Sequence, residues 1–183
     1  MTKSALHLSK NILILIILVT SISSCKKVNE VFMHVSIKES NNIVVSQKSN
    51  GLTVYFGNIN YSIENKETQP YLDKLQKVTL NSFTYKIKHF SGNSNNLKTL
   101  DLILNGDVLA RNKNITLNRN SNTSFSLEIT DKNVLKLIEN DLFSNQFSSI
   151  EYSGIVTSNQ NNIQFEIEIN MDISITATDL EYQ

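Results

Sequence analysis

The chain has 183 residues, with 17 Lys and Arg against 17 Asp and Glu and a formal net charge of zero. Only Arg111 and Arg119 are arginines and no basic stripe runs along the sequence, which argues against a nucleic-acid partner. A single cysteine rules out an internal disulfide, and regularly spaced aliphatic and aromatic residues argue for a packed core despite abundant asparagine and serine.

Lys3 and Lys10 make a small basic start, Ile12 to Val19 is an unbroken apolar run, and Ile22-Ser23-Ser24-Cys25 follows. This order of basic, apolar and small residues predicts a secretory signal peptide. The apolar run is well short of the ~20 residues that a membrane-spanning helix needs. Cys25 has no partner in the chain, and a lone thiol in a secreted protein calls for a chemical use. Ile22 to Cys25 resembles the lipobox of bacterial lipoproteins: an aliphatic residue and two small ones before the cysteine that is acylated. The resemblance covers residues 1–25 only. It implies removal of residues 1–24, lipidation of Cys25 and a membrane partner reached through the N-terminal lipid, two or more acyl chains being needed for a stable hold. A plain secreted protein and a membrane anchor are the alternatives.

Removing residues 1–24 takes two lysines and no acid, leaving 159 residues and a net charge of −2, the size of one domain. Residues 25–30 are then the lipidated N-terminus and a short tether, in which the five residues Lys26 to Glu30 reach at most about 18 Å, and residues 31–183 are a single domain. Enteric lipoproteins kept at the inner membrane carry aspartate after the lipidated cysteine; Lys26 stands there instead, which implies the outer membrane of the cell envelope. Lys26-Lys27 with Glu30 matches in part the residues that accompany surface export in Bacteroidota. The long alternating C-terminal segment is loosely similar to small lipoproteins of that group.

From Val31 onward the dominant period is two, the mark of strands with one buried face. In Val31 to Ile37, the residues Val31, Met33, Val35 and Ile37 share a face and His34 lies on the other. Ile43 to Gln47 and Leu52 to Phe56 flank Asn50-Gly51, and Leu97 to Leu104 and Asp107 to Arg111 flank Asn105-Gly106; both dipeptides predict hairpins, because a type I′ turn needs positive φ at its two central residues. Further strands are expected at Asn58–Ile63, Val78–Phe90, Ile115–Leu117, Ser124–Ile129, Ile150–Thr157 and Ile163–Thr176. Val78 and Leu80 are out of phase with Phe83, Tyr85 and Ile87, which one extra residue at Asn81-Ser82 would repair, a bulge. His89 continues the phase of Phe83. The run from Ile163 would exceed ~40 Å as one strand and is expected to bend or split near Asn170.

Helix is scarce. Thr130-Asp131 offers a cap, and Val134, Leu135, Ile138 and Leu142 recur at helical spacing, predicting one principal helix near residues 131–143. Tyr71 to Gln76 after Pro70 suits a helical turn. The predicted fold is mainly β: an antiparallel β-sandwich, immunoglobulin-like or similar, of about eight to ten strands.

Motifs for chemistry are sparse. No paired cysteines, no His-x-x-x-His, no phosphate-binding glycine loop and no nucleophile elbow occurs, so no catalytic residue, metal site or cofactor is assigned. His34 and His89 read as strand-surface or rim residues. Glu166, Glu168 and Asp172 share one face of the last strand; they read as the solvated side of a sheet, with calcium coordination as the alternative. Tyr55, Tyr61, Tyr71, Tyr85 and Tyr152 read as sheet packing, with a sugar-stacking platform as the alternative. The function these readings favour is a non-enzymatic envelope lipoprotein, an interaction or adhesion module with a protein or glycan partner. The alternative is a small lipid-anchored enzyme, or a carrier with an apolar cavity in the sandwich.

Overall fold

The structure is a computed structural model that describes residues 27–46, 51–91, 96–117, 122–158 and 163–181. Cys25 and the apolar run before it lie outside the described residues. Among the described residues, eight strands and one α-helix follow in order: β1 (Lys27–Val45), β2 (Gly51–Ser62), a 3-10 turn (Gln69–Lys74), β3 (Leu75–Ser91), β4 (Asn96–Leu104), β5 (Asp107–Thr116), β6 (Thr123–Glu128), α1 (Lys132–Asn145), β7 (Phe147–Ser158) and β8 (Ile163–Glu181). They make two antiparallel four-stranded sheets, ordered β1-β8-β3-β6 and β2-β7-β4-β5. The antiparallel sandwich expected from the period-two runs is present. Its strand order is that of a jelly roll, in which consecutive strands cross between the sheets everywhere except β4–β5, and differs from the immunoglobulin arrangement.

β8 organises the core. Ile163, Phe165, Ile167, Ile169, Met171, Ile173, Ile175 and Ala177 are all buried, and β1 and β3 flank the strand. The split expected near Asn170 does not occur. β1 pairs with β8 from Lys27↔Glu181 to Val45↔Ile163 without a register shift, so an equally long neighbour carries the strand through. The same continuity fuses three pairs of expected strands into β1, β2 and β5. Within β1, the polar stretch Lys38 to Asn42 breaks the apolar alternation but leaves the ladder to β8 intact.

The phase slip in β3 is a bulge where expected: Leu80 faces Ile173 and Ser82 faces Asp172, which leaves Asn81 as the extra residue. Val78, Leu80, Phe83, Tyr85 and Ile87 are thereby all buried. His89 does not follow them. Its φ of 49° turns the chain, so the imidazole is 58% exposed and Phe90 fills the core position.

The two Asn-Gly sites part company. Asn105 (φ 52°) and Gly106 (φ 90°) form the two-residue turn of the β4–β5 hairpin, with Leu104 opposite Asp107. The hairpin expected at Asn50-Gly51 is absent: β1 belongs to one sheet and β2 to the other. Both strands turn apolar residues to the same core from opposite sides instead of pairing, and Asn50 itself lies outside the described residues.

α1 starts as its sequence dictates. Asp131 accepts from the Asn133 amide at 2.8 Å, and Gln146 (φ 62°) ends the helix by returning its own amide to the Leu142 carbonyl. Ile138 and Leu142 are buried, with Val134 and Leu135 packed beside them. Glu139 accepts the main-chain amide of Leu80 at 3.0 Å, tying the helix to β3 next to the bulge. The registers place the start of β1, the end of β8, the 3-10 turn, the Asn105-Gly106 turn and α1 at one end of the sandwich. The last residues of β1, β3, β5 and β7 lie at the other end.

Candidate functional site

Because β1 opens at Lys27, Lys26 alone stands between it and Cys25. Most of the tether expected over residues 25–30 is strand. No helix among the described residues is long and apolar enough to cross a membrane.

The acids of β8 are not a simple solvated face. Strand alternation does turn Glu166, Glu168 and Asp172 outward, but the Glu168 side chain is only 4% exposed. Lys88 Nζ of β3 donates to Glu168 Oε2 at 2.9 Å, Lys38 Nζ of β1 lies 3.3 Å from the same oxygen, and Asn170 Nδ2 donates to Oε1 at 3.1 Å. The lysine stems from the two neighbouring strands cover the carboxylate. Burial works to raise its pKa; the bonds from Lys88, Asn170 and Lys38 and the Lys88 charge outweigh burial and hold it at about 2. His34 Nε2 lies 2.7 Å from Asp172, and His89 Nε2 lies 3.5 Å from Glu166. Each acid of the row thus faces a basic side chain, and no cluster suited to a metal ion occurs among the described residues.

The tyrosines are not a platform. Tyr55, Tyr61, Tyr85 and Tyr152 are buried, as sheet packing requires. Tyr55 packs edge-on against Phe165, ring centres 5.4 Å apart, and its hydroxyl donates to the Thr99 carbonyl. Tyr61 donates to buried Asp141, which also accepts from Asn105 and Asn145 and so joins α1 to the β4–β5 turn. The Tyr85 hydroxyl accepts from Asn112. Burial raises the pKa of all four phenols, that of Tyr85 to about 12.

What the sequence reading missed is the outer face of β2. Tyr55, Ile59 and Tyr61 point into the core, and the opposite phase leaves Leu52 67%, Val54 64% and Phe56 81% exposed. β2 is an edge strand, with β7 as its sheet neighbour among the described residues. The signal was present: Asn58 and Asn60 continue the phase of Leu52, Val54 and Phe56, and they mark it as the outward one. Natural edge strands carry charge, proline, bulges or short length against unwanted pairing. β1 holds Lys38 and Glu39, β5 holds Asp107, Arg111 and Lys113, and β6 is six residues long and ends in Glu128. β2, over twelve residues, has no charged residue, no proline and no register shift.

Beside this edge lies a cleft of about 420 Å³ between Asn42–Val45 of β1 with the following Ser46 and Thr53–Phe56 of β2, with Tyr152 also lining it. Asn41 Nδ2 donates at 3.1 Å both to the Asn58 carbonyl and to the Tyr152 hydroxyl, closing the cleft at that level. Tyr55 stands opposite Gly154, and Tyr152 opposite Gly57, in the β2–β7 ladder. A side chain on either glycine would overlap the facing phenol.

No family model matches the chain, and no curated protein matches it. Solved structures that it resembles include a decameric BFDV capsid protein, at 7% identity over 79% of this chain and 99% of that one, with a TM-score of 0.43. Desmodium yellow mottle tymovirus is similar at 11% identity over 82% and 92% of the two chains, TM-score 0.33. The infectious bursal disease virus VP2 subviral particle is similar at 13% identity over 87% of this chain and 38% of that one, TM-score 0.31.

Proposed function

We propose that the protein is a cell-envelope lipoprotein held to the bacterial outer membrane through Cys25, and that its sandwich is a non-enzymatic interaction module working through the outer face of β2. The observation that carries the second half is the row Leu52, Val54 and Phe56, exposed on an edge strand with no charge to deter a partner. An apolar row on the edge strand of a sheet suits a protein partner with an apolar surface of its own, rather than a glycan. The carrier alternative has less support, because Tyr61, Phe83, Tyr85 and Phe165 fill the space between the sheets.

The two halves are tested separately. Cys25→Ser should abolish incorporation of a fatty-acid label and release the protein from the membrane fraction; equal label on wild type and variant would refute the anchor. A photo-crosslinking residue at position 54 should give adducts in native membranes that one at position 36, on the outer face of β1, does not. Identical patterns at both positions would refute the β2 face.

A further inference from the structure

We infer that Asn105 is a site of spontaneous chemical modification: ring closure onto Gly106 turns its amide into an acid, and the change severs the bond that ties α1 to the β4–β5 turn. The inference is independent of the anchor and of the β2 face.

The reaction needs a side-chain amide followed by a main-chain nitrogen that no side chain shields. Asn105 and Gly106 are both exposed, and the place a side chain would take at Gly106 is open, with no atom within 4 Å. The ladder of the hairpin closes with Leu104 opposite Asp107, so the Gly106 amide lies outside it. After a solvent base takes its proton, the Gly106 nitrogen attacks Cγ of Asn105. The Cγ–Nδ2 bond breaks, and Nδ2 leaves as ammonia with a proton from solvent. Water then opens the cyclic imide. Cleavage of the new Cγ–N bond leaves aspartate at 105; cleavage of the original peptide bond leaves isoaspartate, with the chain rerouted through Cγ. Water is consumed and ammonia released, and nothing is oxidised. Asn60 and Asn114 make the contrast. Tyr61 and Ile115 follow them, although Asn114 shares the left-handed backbone of Asn105, at φ 53°.

Asp141 gives this site its consequence. Asn105 Nδ2 donates to Asp141 Oδ1 at 3.0 Å, Asn145 Nδ2 of α1 donates to the same oxygen at 2.9 Å, and the Tyr61 hydroxyl donates to Oδ2 at 3.2 Å. Asp141 is only 7% exposed. An ionised acid at 105 has no hydrogen to give, and it sets a second carboxylate beside a buried one that water screens poorly. Turn and helix then repel where they were joined. Isoaspartate does the same and adds a methylene to the main chain of a tight two-residue turn.

α1 lies beside Gln76–Val78 of β3, and its Glu139 accepts the Leu80 amide. Among the described residues β6 pairs with β3 from Thr84 to Lys88, so α1 covers the first half of β3 where β6 does not. A loosened α1 uncovers that half. Hydrolysis does not run backward in water, so the release is one-way.

The whole protein, purified in mild detergent, is held in warm, mildly alkaline buffer while peptide mapping by mass spectrometry follows each asparagine. Acid at residue 105 should accumulate far ahead of acid at residues 60 and 114. In the converted fraction, hydrogen exchange of the α1 amides should quicken about tenfold or more. Asn105→Asp should show the fast exchange from the start. Adding Asp141→Asn returns an amide to the pair with the two roles exchanged, and should restore most of the protection. If Asn105→Asp does not fold, wild type aged after folding carries the comparison. Conversion at 105 no faster than at 60 and 114 overturns the site. Conversion that leaves α1 exchange unchanged overturns the release, and a double variant as fast as Asn105→Asp alone overturns the like-charge account of it.

Discussion

Gly154 of β7 stands directly opposite Tyr55 of β2, and the tyrosine ring takes the space that a side chain on the glycine would need. A methyl group there would also overlap the Thr99 carbonyl of β4, to which the same tyrosine donates. Backbone cannot yield as a side-chain tip can, so Gly154→Ala should destabilise the domain by about 1–3 kcal/mol. Gly57→Ala meets only the outer atoms of the Tyr152 ring and should cost less. Urea midpoints for both variants check the order, and a Gly154→Ala midpoint equal to wild type would contradict it.

Glu168 makes stability depend on acid. Its carboxyl lies near pH 2 in the fold against 4.5 in a free side chain. A lowered pKa means stabilisation that is fully present above pH 4.5 and lost as pH falls toward 2. At neutral pH, Glu168→Gln leaves Lys38 and Lys88 facing each other without the anion and should cost about 1–3 kcal/mol. The gap between wild type and variant should close between pH 4.5 and 2, as followed by thermal melts across that window. A gap that persists unchanged at pH 2 would show that the loss is one of packing rather than charge.

Ile167 and Ile169 are fully buried on either side of Glu168. Truncating either to alanine should cost about 2–5 kcal/mol, a large share of a domain's margin. Glu166→Ala, whose carboxylate pairs with the exposed imidazole of His89 and stands opposite Lys88, which is already bonded to Glu168, should stay within about 0.5 kcal/mol of wild type. Chemical denaturation of the three variants tests the ranking.

The features legible in the sequence were those fixed by near neighbours. The alternation of β8, the bulge at Asn81, the Asp131 cap and the Asn105-Gly106 turn each follow from a few consecutive residues. Asn50-Gly51 shows the limit of such a signal. It marks a turn, but which sheet receives the next strand is decided by partners such as Ile155, about a hundred positions away. Glu168 shows another limit. Its outward phase was readable, whereas its burial depends on lysine stems from two strands remote in sequence. His89 escaped because one left-handed residue reverses the phase that the preceding residues establish. The β2 face was open to reading, had the phase of Leu52, Val54 and Phe56 been extended to Asn58 and Asn60.

The start of β1 at Lys27 also has a mechanical side. A pull applied at residue 25 enters the domain along the axis of β1, which is bonded to β8 through nineteen consecutive residue pairs. Force in that direction loads the ladder in shear, so its bonds share the strain and must fail together, whereas a pull across the strand would peel them singly. Resistance to such loading is governed by the barrier to unfolding rather than by equilibrium stability. A chain joined to a surface at this point is coupled through the longest ladder in its fold.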